Sequence, residues 1–157
     1  MPDSAPLVEQ IAVAVRDIIA NVTTANEYAV DVVEVVRPTR LGGFMPRHGL
    51  VVLYQDDWGK ADGGSPFGVV RRTVVFEAHV YCKLPDGNTL PTDTWLNHAE
   101  ASLEKALTAD RKLGGLAQML DMVPPDSFVT VDGAFEGRAV RFEVMYRHAA
   151  NDPYTPA

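Results

Sequence analysis

The sequence has little of several things, and each shortage argues against a class of protein. It holds one cysteine, Cys82, so no disulfide can form within the chain and a reducing compartment is expected. No apolar run approaches the ~20 residues that a membrane-spanning helix requires, and the N-terminus lacks the basic start and cleavage site of a secretory signal. We therefore expect a protein that folds in a cytoplasm and does not enter a membrane.

Positive charge is also scarce. The chain has 14 Lys and Arg residues against 21 Asp and Glu residues, which gives a formal net charge of -7. A protein that binds nucleic acid tightly concentrates Lys and Arg on one face, because phosphate contacts supply most of the affinity. The balance therefore argues against tight nucleic-acid binding, although it leaves a local basic patch open.

Signatures of catalysis are missing as well. The four histidines lie on four different segments, without the spacing of a metal site. Gly59-Lys60 is followed by Ala61, where a phosphate-binding loop needs Ser or Thr. There is no Gly-x-Ser-x-Gly nucleophile motif. We predict a protein that is not an enzyme and that uses no metal or cofactor.

What the chain does contain is a pattern of alternating residues in its last strand, 138–147. Val140, Phe142, Val144 and Tyr146 alternate with residues that are mostly charged, which predicts a strand with one dry and one polar face. The stretch 74–81 has a similar pattern and places Cys82 on the dry face. We predict that these two strands form the centre of one sheet.

The remaining segments predict an α+β fold, in which two helices pack on a mainly antiparallel mixed sheet, within a single domain spanning residues 1–157. A glycine pair, Gly114-Gly115, predicts the C-cap of the second helix. The tail after the last strand is expected to be extended. The predicted helices are Ser4–Val22 and Thr94–Ala109, the other strands are Tyr28–Arg37, Leu50–Tyr54, Gly68–Leu84, Gln118–Val123 and Phe128–Val131, and Asp56–Pro66 is predicted to be a long polar loop.

Several motifs in the second half carry a family resemblance. A helix with an alanine-leucine stripe over 97–107 runs into Leu113-Gly114-Gly115-Leu116, and the chain closes with Val144-Met145-Tyr146-Arg147 and Asn151-Asp152-Pro153-Tyr154. Over Phe76–Tyr154 the chain resembles the tail terminator proteins of long-tailed bacteriophages, also called tail completion or head–tail joining proteins. The loop Asp56–Pro66 and the pair Pro124-Pro125 depart from that pattern, which leaves contractile and flexible tails both open.

The resemblance implies a virion protein, assembled in the host cytoplasm, that forms a homohexameric ring on the tail tube. Its partners would be further copies of itself, the tail tube protein and a neck or head-completion protein, with a sheath protein as a further candidate. Genomic DNA would pass through the ring without specific binding, and the acidic balance of the chain fits a lumen that repels phosphate. No cofactor is implied.

Long polar loops and strand faces of mixed charge suit contacts between subunits, where complementary charge sets the register. We predict ten contact residues in the loops, strands and tail: Arg40, Phe44, Asp57, Trp58, Arg71, Arg72, Arg147, Asn151, Asp152 and Tyr154.

Two alternatives remain open. One is another ring component of the neck, such as a stopper or adaptor, which would bind DNA or portal instead of the tube. The other is a small-ligand-binding or enzymatic α+β domain with its pocket between helix and sheet. A deep pocket with converging polar groups would favour the second alternative.

Overall fold

Two α-helices and six strands form the regular structure of the part of the chain that the computed structural model describes, residues 5–38, 44–62, 68–83, 90–124 and 134–157, with the backbone alone for 56–62. This arrangement confirms the α+β prediction. The elements are α1 (Leu7–Ala20), β1 (Glu34–Val36), β2 (Leu50–Asp62), β3 (Val69–Lys83), α2 (Thr92–Ala109), β4 (Met119–Val123), β5 (Phe135–Ala149) and β6 (Asp152–Pro156).

The strands form one mixed sheet in the order β1-β2-β3-β5-β4, and β6 also pairs with β5. Only the short β1 runs parallel to its neighbour within this described sheet; the other pairs are antiparallel. The β3–β5 ladder is the longest, since it runs without a register shift from Val69↔Ala149 to Lys83↔Phe135. The prediction that these two strands form the centre of the sheet is confirmed.

One face of the sheet is covered by both helices and forms the core. Phe76 on β3 and Phe142 on β5 are directly opposite in register, fully buried and stacked, with their ring centroids 5.5 Å apart. Cys82 is buried on the same face, and this burial raises the pKa of its thiol. The cysteine therefore behaves as the small apolar residue that its strand position predicts.

Each helix buries the apolar stripe that its sequence predicts. On α1, Leu7, Ile11, Val15 and Ile19 recur every four residues and are fully buried. On α2 the buried stripe packs against β3 and β5, while α1 packs beside α2. The buried residues of α2 are Trp95, Leu96, Ala99, Ser102, Leu103, Ala106 and Leu107.

The predicted glycine C-cap of α2 is wrong, because the helix ends at Asp110, before the glycines. The Asp110 carboxylate accepts hydrogen bonds from the backbone N–H groups of Gly114, at 2.7 Å, and Lys112, at 3.0 Å. These bonds favour the charged form and lower the pKa of Asp110. The two glycines instead occupy the following tight turn, with φ angles of 66° and 95°.

Two further predictions of secondary structure are corrected. Of the predicted strand Tyr28–Arg37, only Glu34–Val36 is a strand, because Val30 and Val32 enter the core through irregular backbone, as the Val32 N–H bond to the Val22 carbonyl shows. The predicted loop Asp56–Pro66 is a strand as far as Asp62. Two register shifts against β3 accommodate its polar and glycine residues. The predicted strand Phe128–Val131 lies outside the described residues.

Gly49 stands where two parts of the chain approach closely. Its carbonyl accepts from Val33, its N–H donates to the Tyr81 carbonyl, and its φ is +76°. A Cβ at this position would lie 2.7 Å from the Asp31 carbonyl oxygen and 2.9 Å from a Val33 methyl. Only glycine satisfies both the backbone conformation and the contact distance.

We predict that Gly49→Ala lowers the free energy of unfolding by ~2–5 kcal/mol, because left-handed strain and a backbone clash add together. Gly114→Ala is the matched control, since its φ is +66° and a Cβ there meets no atom within 4 Å. Gly114→Ala should lower the free energy of unfolding only by the left-handed backbone strain, ~1–2 kcal/mol. Urea unfolding of both variants measures the difference, and equal losses would contradict the role of the close approach.

Candidate subunit interface

The face of the sheet opposite the helices carries polar side chains across three strands. On β5, Arg141, Glu143, Met145 and Arg147 are half-buried. No helix among the described residues packs on this face, which we call the open face. Its cross-strand rows, read from β3 through β5 to β4, are Glu77–Arg141–Val123, Val75–Glu143–Asp121 and Thr73–Met145–Met119, with Arg71–Arg147 beyond the end of β4.

Like charges stand directly opposite each other in two of these rows. Arg71 is paired with Arg147, and neither forms an ion pair with a described side chain. Glu143 is paired with Asp121, whose carboxylate accepts from Arg111 at 3.1 Å. Directly opposed like charges destabilise a sheet. The open face therefore has a positive end beside an acidic centre. Opposite charge from a partner would stabilise the positive end, whereas Arg111 already compensates Asp121 in the acidic centre.

Near the middle of the open face lies a buried polar cluster. Glu77 is 4% exposed, its carboxylate lies 2.5 Å from Nε2 of His79, and the His79 ring is 4.7 Å from the ring of Tyr54. Burial, together with the nearby Glu77 charge, raises the pKa of the Tyr54 hydroxyl. The sequence alone does not single out this cluster; its signal is the i, i+2 spacing of Glu77 and His79, which places them on one strand face.

The other end of the open face is apolar. Leu50, Val52 and Tyr81 are buried there, and Phe44 packs against them with its ring centroid 5.6 Å from that of Tyr81. A groove of about 340 Å³ opens beside this cluster, with Met45 at its rim 88% exposed. Phe44, a predicted contact residue, is therefore half-buried against its own chain.

The tail residues lie at the end of β5 that carries Arg147. Asn151 is exposed in the turn between β5 and β6. The Asp152 carboxylate accepts from the Tyr154 N–H at 3.0 Å and from the Thr155 hydroxyl at 2.5 Å, and these bonds lower the pKa of Asp152. The Tyr154 carbonyl accepts from Gln10 on α1 at 2.9 Å. The Asp152 bonds thus shape the tail locally. The Gln10 bond to Tyr154 and the pairing of β6 with β5 hold the tail on the chain's own helix and sheet.

The ten predicted contact residues therefore do not form one patch. Arg71 and Arg147 lie together on the open face. Arg72 instead points to the helix-covered side of the sheet, as its alternate position on β3 dictates, and its Nε donates to His148 at 3.2 Å. The structure describes only the backbone of Asp57 and Trp58, and Arg40 lies outside the described residues.

Comparison of the sequence with protein-family models and with curated proteins finds no match. Within the described residues no group of His, Cys, Asp and Glu has the arrangement of a metal site. In the same part of the chain, neither helix is long and apolar enough to cross a membrane.

We predict that Asp152→Ala loosens the local structure of β6 at Tyr154 and Thr155 while leaving the rest of the sheet intact. The folded carboxylate has a lowered pKa, so its contribution is present above the ordinary aspartate pKa of ~3.9 and is lost as the pH falls through the lower folded value. Hydrogen exchange at neutral pH should accelerate several-fold at Tyr154 and Thr155. Asn151→Ala, at the neighbouring exposed position, should leave these amides protected; comparable acceleration in both variants would contradict the assignment.

Proposed function

We propose that the chain is a tail terminator protein of a long-tailed bacteriophage. It would form a ring on the end of the tail tube, stop tube polymerisation, and present a docking surface to the neck. The observation that supports this best is the open face, where a positive end and an acidic centre lie on the side of the sheet away from the helices. The motifs over Phe76–Tyr154, which resemble those of tail terminators, are the reason for proposing a phage tail as the assembly.

The proposed mechanism is geometric. In a closed ring each subunit contacts its two neighbours through two different surfaces. The pair Arg71 and Arg147 offers two guanidinium groups to carboxylates of the next copy or of the tube, in a chain whose net charge is -7. Such charge complementarity fixes register and selects partners more than it adds affinity. The proposal requires no cofactor and no specific contact with DNA.

The test is electron microscopy of the purified protein mixed with tail tubes of the virus that encodes it. We expect extra density at one end of each tube and no further growth from that end. Density along the sides of the tubes, or bare tubes at saturating protein, would overturn the proposal. Binding to neck or portal particles without binding to tubes would identify the stopper or adaptor alternative instead.

Charge reversal tests the role of the open face. The double variant Arg71→Glu, Arg147→Glu should reduce tube-end decoration at least ~10-fold at fixed protein concentration, which corresponds to ~1.4 kcal/mol or more of lost binding free energy. Arg16→Glu is the control, because Arg16 lies on α1 and pairs only locally with Asp17 among the described residues. Circular dichroism should show that both proteins are folded. Undiminished decoration by the double variant would exclude these arginines from the contact.

A further inference from the structure

A small cavity of about 180 Å³ lies between the first turn of α1, the start of β6 and the covered side of the sheet. Pro6, Val8 and Pro153 contribute apolar surface to its wall, while Gln55 and Arg72 enter from β2 and β3. It is smaller than the ~300–1,000 Å³ of drug-sized sites, so a ligand would be a small group. This cavity is separate from the open face.

The hydrogen bonds of His148 fix how Arg72 enters this cavity. His148 is 5% exposed, and its Nδ1 lies 2.7 Å from the Ala149 carbonyl, which can only accept a hydrogen bond. Nδ1 therefore carries the proton, and Nε2 accepts from Arg72 Nε at 3.2 Å. His148 orients the guanidinium but does not compensate its positive charge.

No described carboxylate forms an ion pair with Arg72 either. Tyr146, directly opposite Arg72 in register, is 5% exposed, and its hydroxyl forms no hydrogen bond within the described residues. Burial raises the pKa of Tyr146, with Arg72 acting in the opposite direction. At neutral pH the hydroxyl is thus a protonated donor in the wall of the cavity.

The first turn of α1 adds to the positive potential that Arg72 creates in the cavity, because a helix N-terminus carries partial positive charge. Among the described residues the Arg72 guanidinium has no carboxylate partner and the Tyr146 hydroxyl has no hydrogen bond. Together with this helix end they describe a site for an oxyanion. The apolar wall distinguishes between oxyanions: a fully hydrated phosphate would leave oxygens against Pro6, Val8 and Pro153. A planar carboxylate on a short alkyl stem would place its oxygens on the guanidinium and its carbons on this wall.

We propose that the cavity binds a carboxylate group carried on a short apolar stem, held by the guanidinium of Arg72 and the hydroxyl of Tyr146. Two sources share this chemistry: a free short-chain carboxylic acid, and an acidic side chain of a second copy of the chain. The inference stands apart from the proposed ring function, since it rests on the covered side of the sheet. Tube-end decoration and carboxylate binding can therefore fail independently.

The test is a titration of the ¹⁵N-labelled protein with butyrate, followed by NMR through the Arg72 side-chain N–H and the backbone amides around the cavity. We expect saturable shifts with a Kd of about 1–10 mM, as suits one charged contact. Inorganic phosphate at equal ionic strength should bind at least about 10-fold more weakly. Absence of saturation up to about 100 mM butyrate, or phosphate binding as tight as butyrate binding, would overturn the proposal.

Variants locate the site. Arg72→Gln should weaken butyrate binding at least 10-fold, and Tyr146→Phe, which keeps the buried ring, about 3-fold or more. Arg16→Gln is the control, because Arg16 lies on α1 outside the cavity lining and pairs locally with Asp17; its Kd should stay within about 2-fold of the wild type. If Arg72→Gln does not fold, the butyrate Kd of Tyr146→Phe still tests the site. Equal binding by Tyr146→Phe and the wild type would exclude the site.

Sedimentation of the wild type with and without butyrate separates the two sources. If a second copy supplies the carboxylate, saturating butyrate should shift self-associated protein towards the monomer. If the source is a free acid, butyrate should bind without changing the sedimentation distribution. Both results support the pocket, and they assign its natural occupant.

Discussion

The pairing of β3 with β5 is the constraint on which the rest of the structure depends. Fifteen uninterrupted residue pairs fix which side chains face the helices and which face away. A shift of one residue would move Phe76 and Phe142 out of the core and bring the neighbouring Glu77 and Arg141 into it. The stacked phenylalanines and the two helices above them therefore select the register, and this register in turn creates the charge pattern of the open face.

The two sides of the same ladder serve different purposes. On the covered side, apolar residues fill the space between sheet and helices until the end of the ladder, where Arg72, Tyr146 and His148 replace them next to the start of α1. On the open side, polar residues continue from the buried Glu77 to the half-buried Arg147. One strand pair thus supplies both the surface proposed for assembly and the cavity proposed for a carboxylate, with consecutive residues Arg71 and Arg72 assigned to opposite sides.

Alternation in β3 and β5 predicts the centre of the sheet, the burial of Cys82 and the helix-covered face, because strand periodicity and burial agree there. Prediction fails where local composition opposes the tertiary context. The residues after Gln55 are polar and glycine-containing, yet they extend β2, since bulges and pairing with β3 outweigh their weak strand propensity. Val30 and Val32 favour a strand, yet they enter the core through irregular backbone.

The candidate site shows a similar division. Strand parity alone places Arg71 and Arg147 on the same face, but their direct opposition depends on the register between strands distant in sequence. The same parity argument, applied to Arg72, puts it on the covered side, so Arg71 and Arg72 lie on opposite faces although they are adjacent in sequence. The bond between Arg72 and His148 joins residues 76 positions apart, and no local pattern indicates it.

The edges of the described sheet have a consequence for handling the protein at high concentration. A three-residue strand, β1, borders one side, and the two five-residue strands β4 and β6 lie end to end along the other side of β5. Among the described residues, β1 covers β2 only over Leu50–Val52, and β4 covers β5 only over residues 141–145. The rest of the outer edge of β2, Leu53–Asp62, therefore has no strand partner in the described sheet. This uncovered part of β2 carries the two register shifts against β3. Such bulges twist an edge away from the flat geometry that adds foreign strands, so they oppose edge-to-edge aggregation where β1 does not reach.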